Sequence, residues 1–181
     1  NADEGDSGTF SDRMLMEGDP YALIEGMAIA AVAVGATYGV IYIRSEYPHA
    51  EAALREAIAR ATAAGHIGAA LRSRGPAFRL DVRRGAGSYV CGEETAMLES
   101  IEGRRGIVRA KPPLPAIHGL FGWPTVINNV ITLPFQLAGN LKQGGLVEMP
   151  FGVTLRELMF DFGGGSRTGR PLKAVQVGGP L

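Results

Sequence analysis

Gly85-Ala-Gly-Ser-Tyr-Val-Cys-Gly-Glu-Glu-Thr-Ala96 is the stretch from which the rest of the chain is read. Just before it, Phe78-Arg-Leu-Asp-Val82 alternates apolar and polar residues and predicts a strand. Just after, Thr95-Ala-Met-Leu-Glu-Ser-Ile101 has the apolar spacing of a helix. A glycine-rich turn between a strand end and a helix start leaves backbone N–H groups on which a phosphate or carboxylate can dock. Val90 stands where the dinucleotide fingerprint G-x-G-x-x-G needs its third glycine. No Gly-Lys-Ser/Thr follows, so the turn is not a Walker loop either. By itself the turn is as consistent with close packing as with ligand binding.

Glu93 and Glu94 shift that balance. Carboxylates at a helix start favour the macrodipole, so capping is one reading of them. Acids beside a phosphate-sized nest would repel a phosphate. A ligand there would present a flavin, ribose or amide edge to them, with its phosphate held elsewhere. Tyr89 could add an aromatic face or a hydroxyl.

The chain has 181 residues, 46% hydrophobic and 20% charged, enough for one sizeable core and part of a second. Eighteen basic residues balance eighteen acidic ones, which argues against nucleic acid and against an anionic membrane surface. A single cysteine, Cys91, excludes an internal disulfide and any all-cysteine zinc or iron–sulfur site within these residues. No signal peptide and no apolar run of about 18 residues is present, so a cytoplasmic location without membrane insertion is expected.

In chain order, Asn1-Ala-Asp-Glu-Gly-Asp-Ser-Gly8 reads as an acidic loop: a solvated terminus, or half of a polar binding site. It lacks the D-x-D-x-D-G calcium pattern. Asp19-Pro20 predicts an N-cap with proline at the first helical position, and the helix runs to Gly35. That helix is apolar nearly all round and is expected to be buried. Val40-Ile-Tyr-Ile43 predicts a parallel strand covered on both faces. Residues 50–64 predict a surface helix with Glu51/Arg55 and Glu56/Arg60 pairs and Gly65 as its stop. The order α-β-α-β-α predicts a doubly wound α/β fold.

Downstream, Lys111 lies in a basic, proline-rich loop and could attract an anion. Asn128 and Asn129 sit in an apolar run, where buried amides need partners from backbone or ligand. Thr154-Leu-Arg-Glu157 is a capping box opening a helix that ends at Gly163-Gly-Gly165, and Lys173-Ala-Val-Gln-Val177 predicts a strand. These form a second, smaller unit.

Asn1-Ala-Asp-Glu, Gly8-Thr-Phe-Ser-Asp-Arg13, Gly87-Ser-Tyr-Val-Cys-Gly-Glu-Glu-Thr95, Glu102-Gly-Arg-Arg-Gly106, Lys111-Pro-Pro and Asn128-Asn129-Val together resemble one family along the whole chain. It is the family of flavin-bearing, NADH-oxidising subunits of respiratory complex I, which includes hydrogenase diaphorases and formate dehydrogenase β subunits. Gly5-Asp-Ser-Gly8, Met14-Leu-Met-Glu-Gly-Asp19 and Ser45-Glu-Tyr-Pro48 look closest to the β subunit of NAD-dependent formate dehydrogenase. The resemblance implies a Rossmann-like parallel sheet flanked by helices over residues 1–133, binding FMN and NADH. Residues 134–181 would begin a β-grasp-like (SLBB) unit.

Some family features lie outside this sequence. They are a glycine-rich flavin-phosphate loop before Asn1, a helical segment between Leu133 and Pro134, and a 4Fe-4S domain after Leu181. The sequence therefore reads as a fragment or as part of a longer chain, with Leu133 and Pro134 further apart than the roughly 3.8 Å of a trans peptide. Weak FMN binding by these residues alone is expected. Leu114 stands where the family frequently has phenylalanine.

Residue by residue, the resemblance implies that Asn1, Asp3, Tyr89, Gly92, Glu93, Asn128, Asn129 and Thr132 line FMN. Asp6, Glu94 and Lys111 would face NAD(H). The implied activity is hydride transfer between NAD(H) and FMN, with electrons passed to iron–sulfur centres of partner subunits and no protein acid or base. Two other classes compete with it. A Cys91 hydrolase would need His49, His66 or His118 as base, none in a recognisable signature. A folded but inactive electron-transfer scaffold would be colourless and fail to oxidise NADH with ferricyanide.

Overall fold

In the computed structural model, residues 1–6, 8–71, 75–131, 134–137, 141–143, 145–148 and 154–171 are described. They fall into two compact units, Asn1–Val130 and Ile131–Leu181.

The first unit is built on β1 (Tyr38–Ile43), a β-branched and aromatic run. It pairs in parallel with β2 (Arg79–Arg84), Ile41 lying opposite Val82. Parallel neighbours need a crossover, here α3 (Pro48–Ala63). On the other edge of β1, Ala2 forms a parallel bridge with Ile43 and donates its N–H to the Tyr42 carbonyl at 2.7 Å. The N-terminal loop is thus fixed to the sheet beside the strand ends.

The α/β class is as expected, but the order of elements is α-α-β-α-β-α. The additional helix is α1 (Ser11–Gly18), followed by α2 (Pro20–Val34). Helix α1 has no local start signal because its capping is non-local. Phe10 at the N-cap makes no side-chain bond; Glu4 instead accepts from the Asp12 N–H at 3.0 Å and the Arg13 N–H at 3.4 Å. Helix α2 has the predicted Asp19 cap and ends at Gly35 with φ 72°. It is less buried than its composition predicts: Ile24 and Ala31 are buried, whereas Ile29, Val32 and Val34 are exposed. Only one side of this uniformly apolar helix meets α1, α3 and β1.

Two packing layers meet at β1. Ile41, Ile43, Leu80 and Val82 are buried, as is the α3 stripe Ala50, Leu54, Ala57 and Ala61. Burying each large apolar side chain contributes about 1.5–3 kcal/mol. Strand alternation turns Tyr42 to the opposite face from Ile41 and Ile43. There it packs with Cys91, Met97 and Leu98, and its hydroxyl lies 2.9 Å from Ser100 Oγ. Burial pushes the Tyr42 hydroxyl up to about 12, chiefly by desolvation.

The central turn is structured. After β2 a 3-10 turn, Tyr89–Gly92, leads to α4 (Glu94–Ile101), which begins one residue earlier than expected. Cys91 is buried, and a Cβ on Gly106 would sit 2.7 Å from its sulfur. Gly106→Ala should therefore overpack this layer and cost about 1–3 kcal/mol, read as a lower urea midpoint. Cys91→Ala in the same chain should recover much of the loss; strict additivity of the two changes would show that their contact is not the cause.

In the second unit, β3 (Pro134–Leu137) and β4 (Gly145–Glu148) pair antiparallel, Pro134 opposite Glu148. Thr154 and Glu157 form the predicted capping box around the single turn α5 (Leu155–Glu157). A π-helical turn, Leu158–Phe162, completes the run to Gly163. The expected strand at residues 173–177 and the Leu133–Pro134 junction lie outside the described residues.

Candidate functional site

Asn1 joins three of the segments implicated by sequence. Its Nδ2 donates to the Gly92 carbonyl at 2.8 Å, and its backbone nitrogen donates to the Asn128 carbonyl at 2.8 Å. Its Oδ1 accepts from the Asp3 N–H at 3.0 Å. The N-terminal loop, the 3-10 turn and the two-amide segment therefore meet beside the start of α4. Burial raises the Asp3 carboxyl above its ordinary range, with Arg44 opposing and Glu46 adding to the shift.

Tyr89 reaches back to the same loop. Its hydroxyl donates to Asp6 Oδ1 at 2.9 Å, while its ring lies on Gly5, where a Cβ would approach a ring carbon to 2.8 Å. Glycine at position 5 makes room for the ring. Tyr89 is 72% exposed and presents an aromatic surface at the mouth of the site.

The two glutamates divide their roles. Glu93 caps α4: its Oε2 accepts from the Thr95 N–H at 2.8 Å and the Ala96 N–H at 2.9 Å. The free N–H groups expected at this helix start are thus already occupied, because a side chain one residue upstream reaches them first. Lys111 Nζ donates to Glu93 Oε1 at 3.1 Å and to Glu94 Oε1 at 2.5 Å. Burial opposes ionisation of Glu93, but bonds from Thr95, Ala96 and Lys111 prevail and lower its pKa. Glu94 and then Glu93 raise that of Lys111. Lys111 is not an isolated cation awaiting an anion.

Asn128 and Asn129 are exposed, contrary to the expected burial. Their apolar neighbours do not form a strand, and among them Val130 is the buried residue. Burial, and then the Glu4 charge, push the buried Asp12 carboxyl up to about 7, with Asn129 opposing the shift. Thr132 lies outside the described residues.

The layer beneath the site is one that sequence reasoning missed. Buried Glu4 accepts from Ser11 Oγ at 3.2 Å and Tyr47 OH at 3.2 Å, besides capping α1. Arg44 Nη1 donates to the Glu4 carbonyl, and its guanidinium lies over the Tyr47 ring at 5.3 Å. Beside α4, Arg109 donates to Glu99 Oε1 at 2.5 Å and to the Gly119 carbonyl at 3.1 Å, and pairs with Glu102 at 2.8 Å. This network holds the loop that carries Lys111. Arg44 stands 40 residues and Tyr47 43 residues from Glu4, without a period or motif to connect them.

A bound group would meet a carboxylate–lysine pair, exposed amides, backbone carbonyls and one aromatic face. Such a donor set suits a heteroaromatic ring with N–H and C=O edges better than a bare phosphate. FMN fits these residues. Among the described residues no helix is long and apolar enough to cross a membrane, and no cluster of metal-ligating side chains is present.

The family of the Nuo51 FMN-binding domain matches residues 1–135. An NADH-quinone oxidoreductase component of Rhizobium meliloti (strain 1021) is 45% identical over 205 residues, covering 99% of this chain and 49% of that protein. The HndC component of the NADP-reducing hydrogenase of Solidesulfovibrio fructosivorans is 43% identical, covering 99% of this chain and 42% of its own length. The chain thus spans about half the length of the curated relatives it matches. A crystal structure of NAD+-reducing [NiFe]-hydrogenase in the H2-reduced state superposes with a TM-score of 0.70 at 35% identity. That superposition covers 92% of this chain and 32% of the hydrogenase chain. With its site built from the same segments that carry the resemblance, the chain belongs to the Nuo51 FMN-binding family of flavin-bearing, NADH-oxidising subunits.

Proposed function

We propose that this chain forms the flavin- and nicotinamide-binding part of a diaphorase subunit in a multi-subunit complex. The convergence of Asn1, Tyr89, Gly92, Glu93 and Asn128 at one end of the sheet carries this reading. Asn1, Asp3, Tyr89, Gly92, Glu93, Asn128, Asn129 and Thr132 hold FMN, and Asp6, Glu94 and Lys111 face NAD(H). When bound, FMN accepts or gives a hydride and exchanges single electrons with iron–sulfur centres.

The protein's residues bind and orient. Tyr89 offers its ring as a stacking face, steadied by its bond to Asp6. Glu93 holds α4 in place and, with Glu94, confines the Lys111 ammonium to the site rim. No side chain in the site is needed to move a proton. Residues 1–133 constitute the nucleotide-binding domain, and residues 134–181 the start of a β-grasp-like unit. Partner subunits, including an iron–sulfur subunit, take the electrons onward in the cytoplasm.

Within the family we favour the β subunit of an NAD-dependent formate dehydrogenase, on the residues at 5–8, 14–19 and 45–48. The purified full-length protein should be yellow, contain stoichiometric FMN and reduce ferricyanide with NADH. With its partner subunits it should reduce NAD with formate. Absence of both flavin and ferricyanide reduction would sink the diaphorase reading. Their retention with hydrogen or quinone as the partner's substrate would replace formate alone.

A further inference from the structure

Thr95 stands in the first turn of α4 and is 1% exposed. Its hydroxyl oxygen accepts from the Arg109 N–H at 2.8 Å and lies 2.5 Å from Glu93 Oε2. A backbone N–H can only donate, so the hydroxyl proton goes to the carboxylate. The order of the chain is therefore fixed: Arg109 N–H to Thr95 Oγ1, and Thr95 O–H to Glu93 Oε2. Together with the Thr95 and Ala96 N–H groups, the hydroxyl gives Oε2 three donors. That oxygen is used up at the helix start, and Oε1 is the one left to meet Lys111, at 3.1 Å.

The Arg109 end of the chain matters as much. Among the described residues, the Arg109 N–H makes the one main-chain hydrogen bond of residues 105–113. The Arg109 guanidinium is held by Glu99, Glu102 and the Gly119 carbonyl, but at the far end of a flexible side chain. Lys111 follows only two residues later. The main chain that carries its ammonium is thus tied down through the Thr95 hydroxyl.

We propose that Thr95 is a positioning residue for the nicotinamide nucleotide. Through one buried hydroxyl it fixes both the Lys111 loop and the Glu93 oxygen that Lys111 meets. This inference rests on the reading that Lys111 faces NAD(H). Without the hydroxyl, Oε2 loses a donor, the Arg109 N–H loses its acceptor, and the loop can move off α4. The nucleotide then meets a less ordered ammonium in the ground state and the transition state alike. Hydride transfer itself needs no side chain of the site to move a proton, so the loss falls on binding. The signature is a raised KM for NADH with kcat kept.

The test uses the full-length protein, with NADH as substrate and ferricyanide as acceptor. Thr95→Val keeps the shape and removes the hydroxyl; it should raise KM on the order of tenfold, about one hydrogen bond's worth. Its kcat should stay within roughly twofold of wild type. Thr95→Ser, which keeps the hydroxyl, should restore a wild-type KM. Lys111→Met should raise KM by itself, and adding Thr95→Val to it should change KM little, because both act through one ammonium. If Thr95→Val does not fold, Thr95→Cys, of similar size with a weaker donor, should show a smaller rise of the same kind. A wild-type KM in the Val or Cys variant overturns the proposal. So does a lowered kcat at unchanged KM, a serine variant that does not recover, or additive effects of the two positions. If Lys111→Met leaves KM unchanged, the reading of Lys111 as a nucleotide contact falls, and this proposal with it. Flavin content and NADH oxidation by wild type would report on the rest of that reading separately.

Discussion

Replacing Glu94 by glutamine should shift cofactor preference toward NADPH, raising the ratio of kcat/KM for NADPH over NADH about tenfold or more. The expectation comes from the charge balance at Lys111, which touches both Glu93 and Glu94. With two carboxylates and one ammonium the cluster is net negative. A carboxylate near an adenosine ribose repels the additional phosphate of NADPH. A unit charge at about 6–8 Å with an effective dielectric near 20 is worth roughly 2–3 kcal/mol. The Glu94 side chain is 36% exposed, so solvent screening reduces that toward about 1.4 kcal/mol, or tenfold. The substitution keeps the shape and leaves the helix intact, because Glu93, not Glu94, accepts the first N–H groups of α4. Steady-state kinetics with both cofactors on full-length enzyme decide the matter. An unchanged ratio would mean that Glu94 serves only to hold Lys111.

Glu102→Ala should be the most destabilising single change beside the site. The Glu102 side chain is 5% exposed; it pairs with Arg109 at 2.8 Å, meets Arg104, and accepts the Phe121 N–H at 2.7 Å. Removing one member of a buried pair typically costs about 3–5 kcal/mol, because the other charge is left unmatched. Arg109 keeps its bond to Glu99, so the low end, about 3 kcal/mol, applies. For a domain of this size that lowers Tm by about 6–12 °C. Desolvation opposes ionisation of Glu102, yet Arg109, the Phe121 N–H and Arg104 together hold its pKa below the ordinary value. A depressed folded-state value means that the stabilisation is complete above the unfolded pKa, near 4.3, and lost as pH falls through the folded one. The variant should therefore lose its deficit relative to wild type in acid. A Tm difference that persists unchanged below about pH 3 would point to lost packing instead of lost charge.

Several of these groups could be found from sequence. Asp19-Pro20 and Gly35 delimit α2 because capping and proline act within a few residues. The alternation of residues 78–82 marks β2, and the Thr154–Glu157 box marks α5, for the same reason. The turn at residues 85–96 placed Glu93, Glu94 and Tyr89 together, since their neighbourhood is local.

What tertiary structure alone decided is long-range. Helix α1 is capped by Glu4, and the Asn128–Asn129 segment is exposed although its neighbours are apolar. The apolar circumference of α2 said that it could be buried; which side is covered depended on where α1, α3 and β1 lie. Glu93 faces its own helix while Lys111 arrives from a loop eighteen residues on. Periodicity and caps report interactions between neighbours along the chain. A hydrogen bond across the fold depends on how the elements pack, and no residue pattern spaced in sequence encodes it.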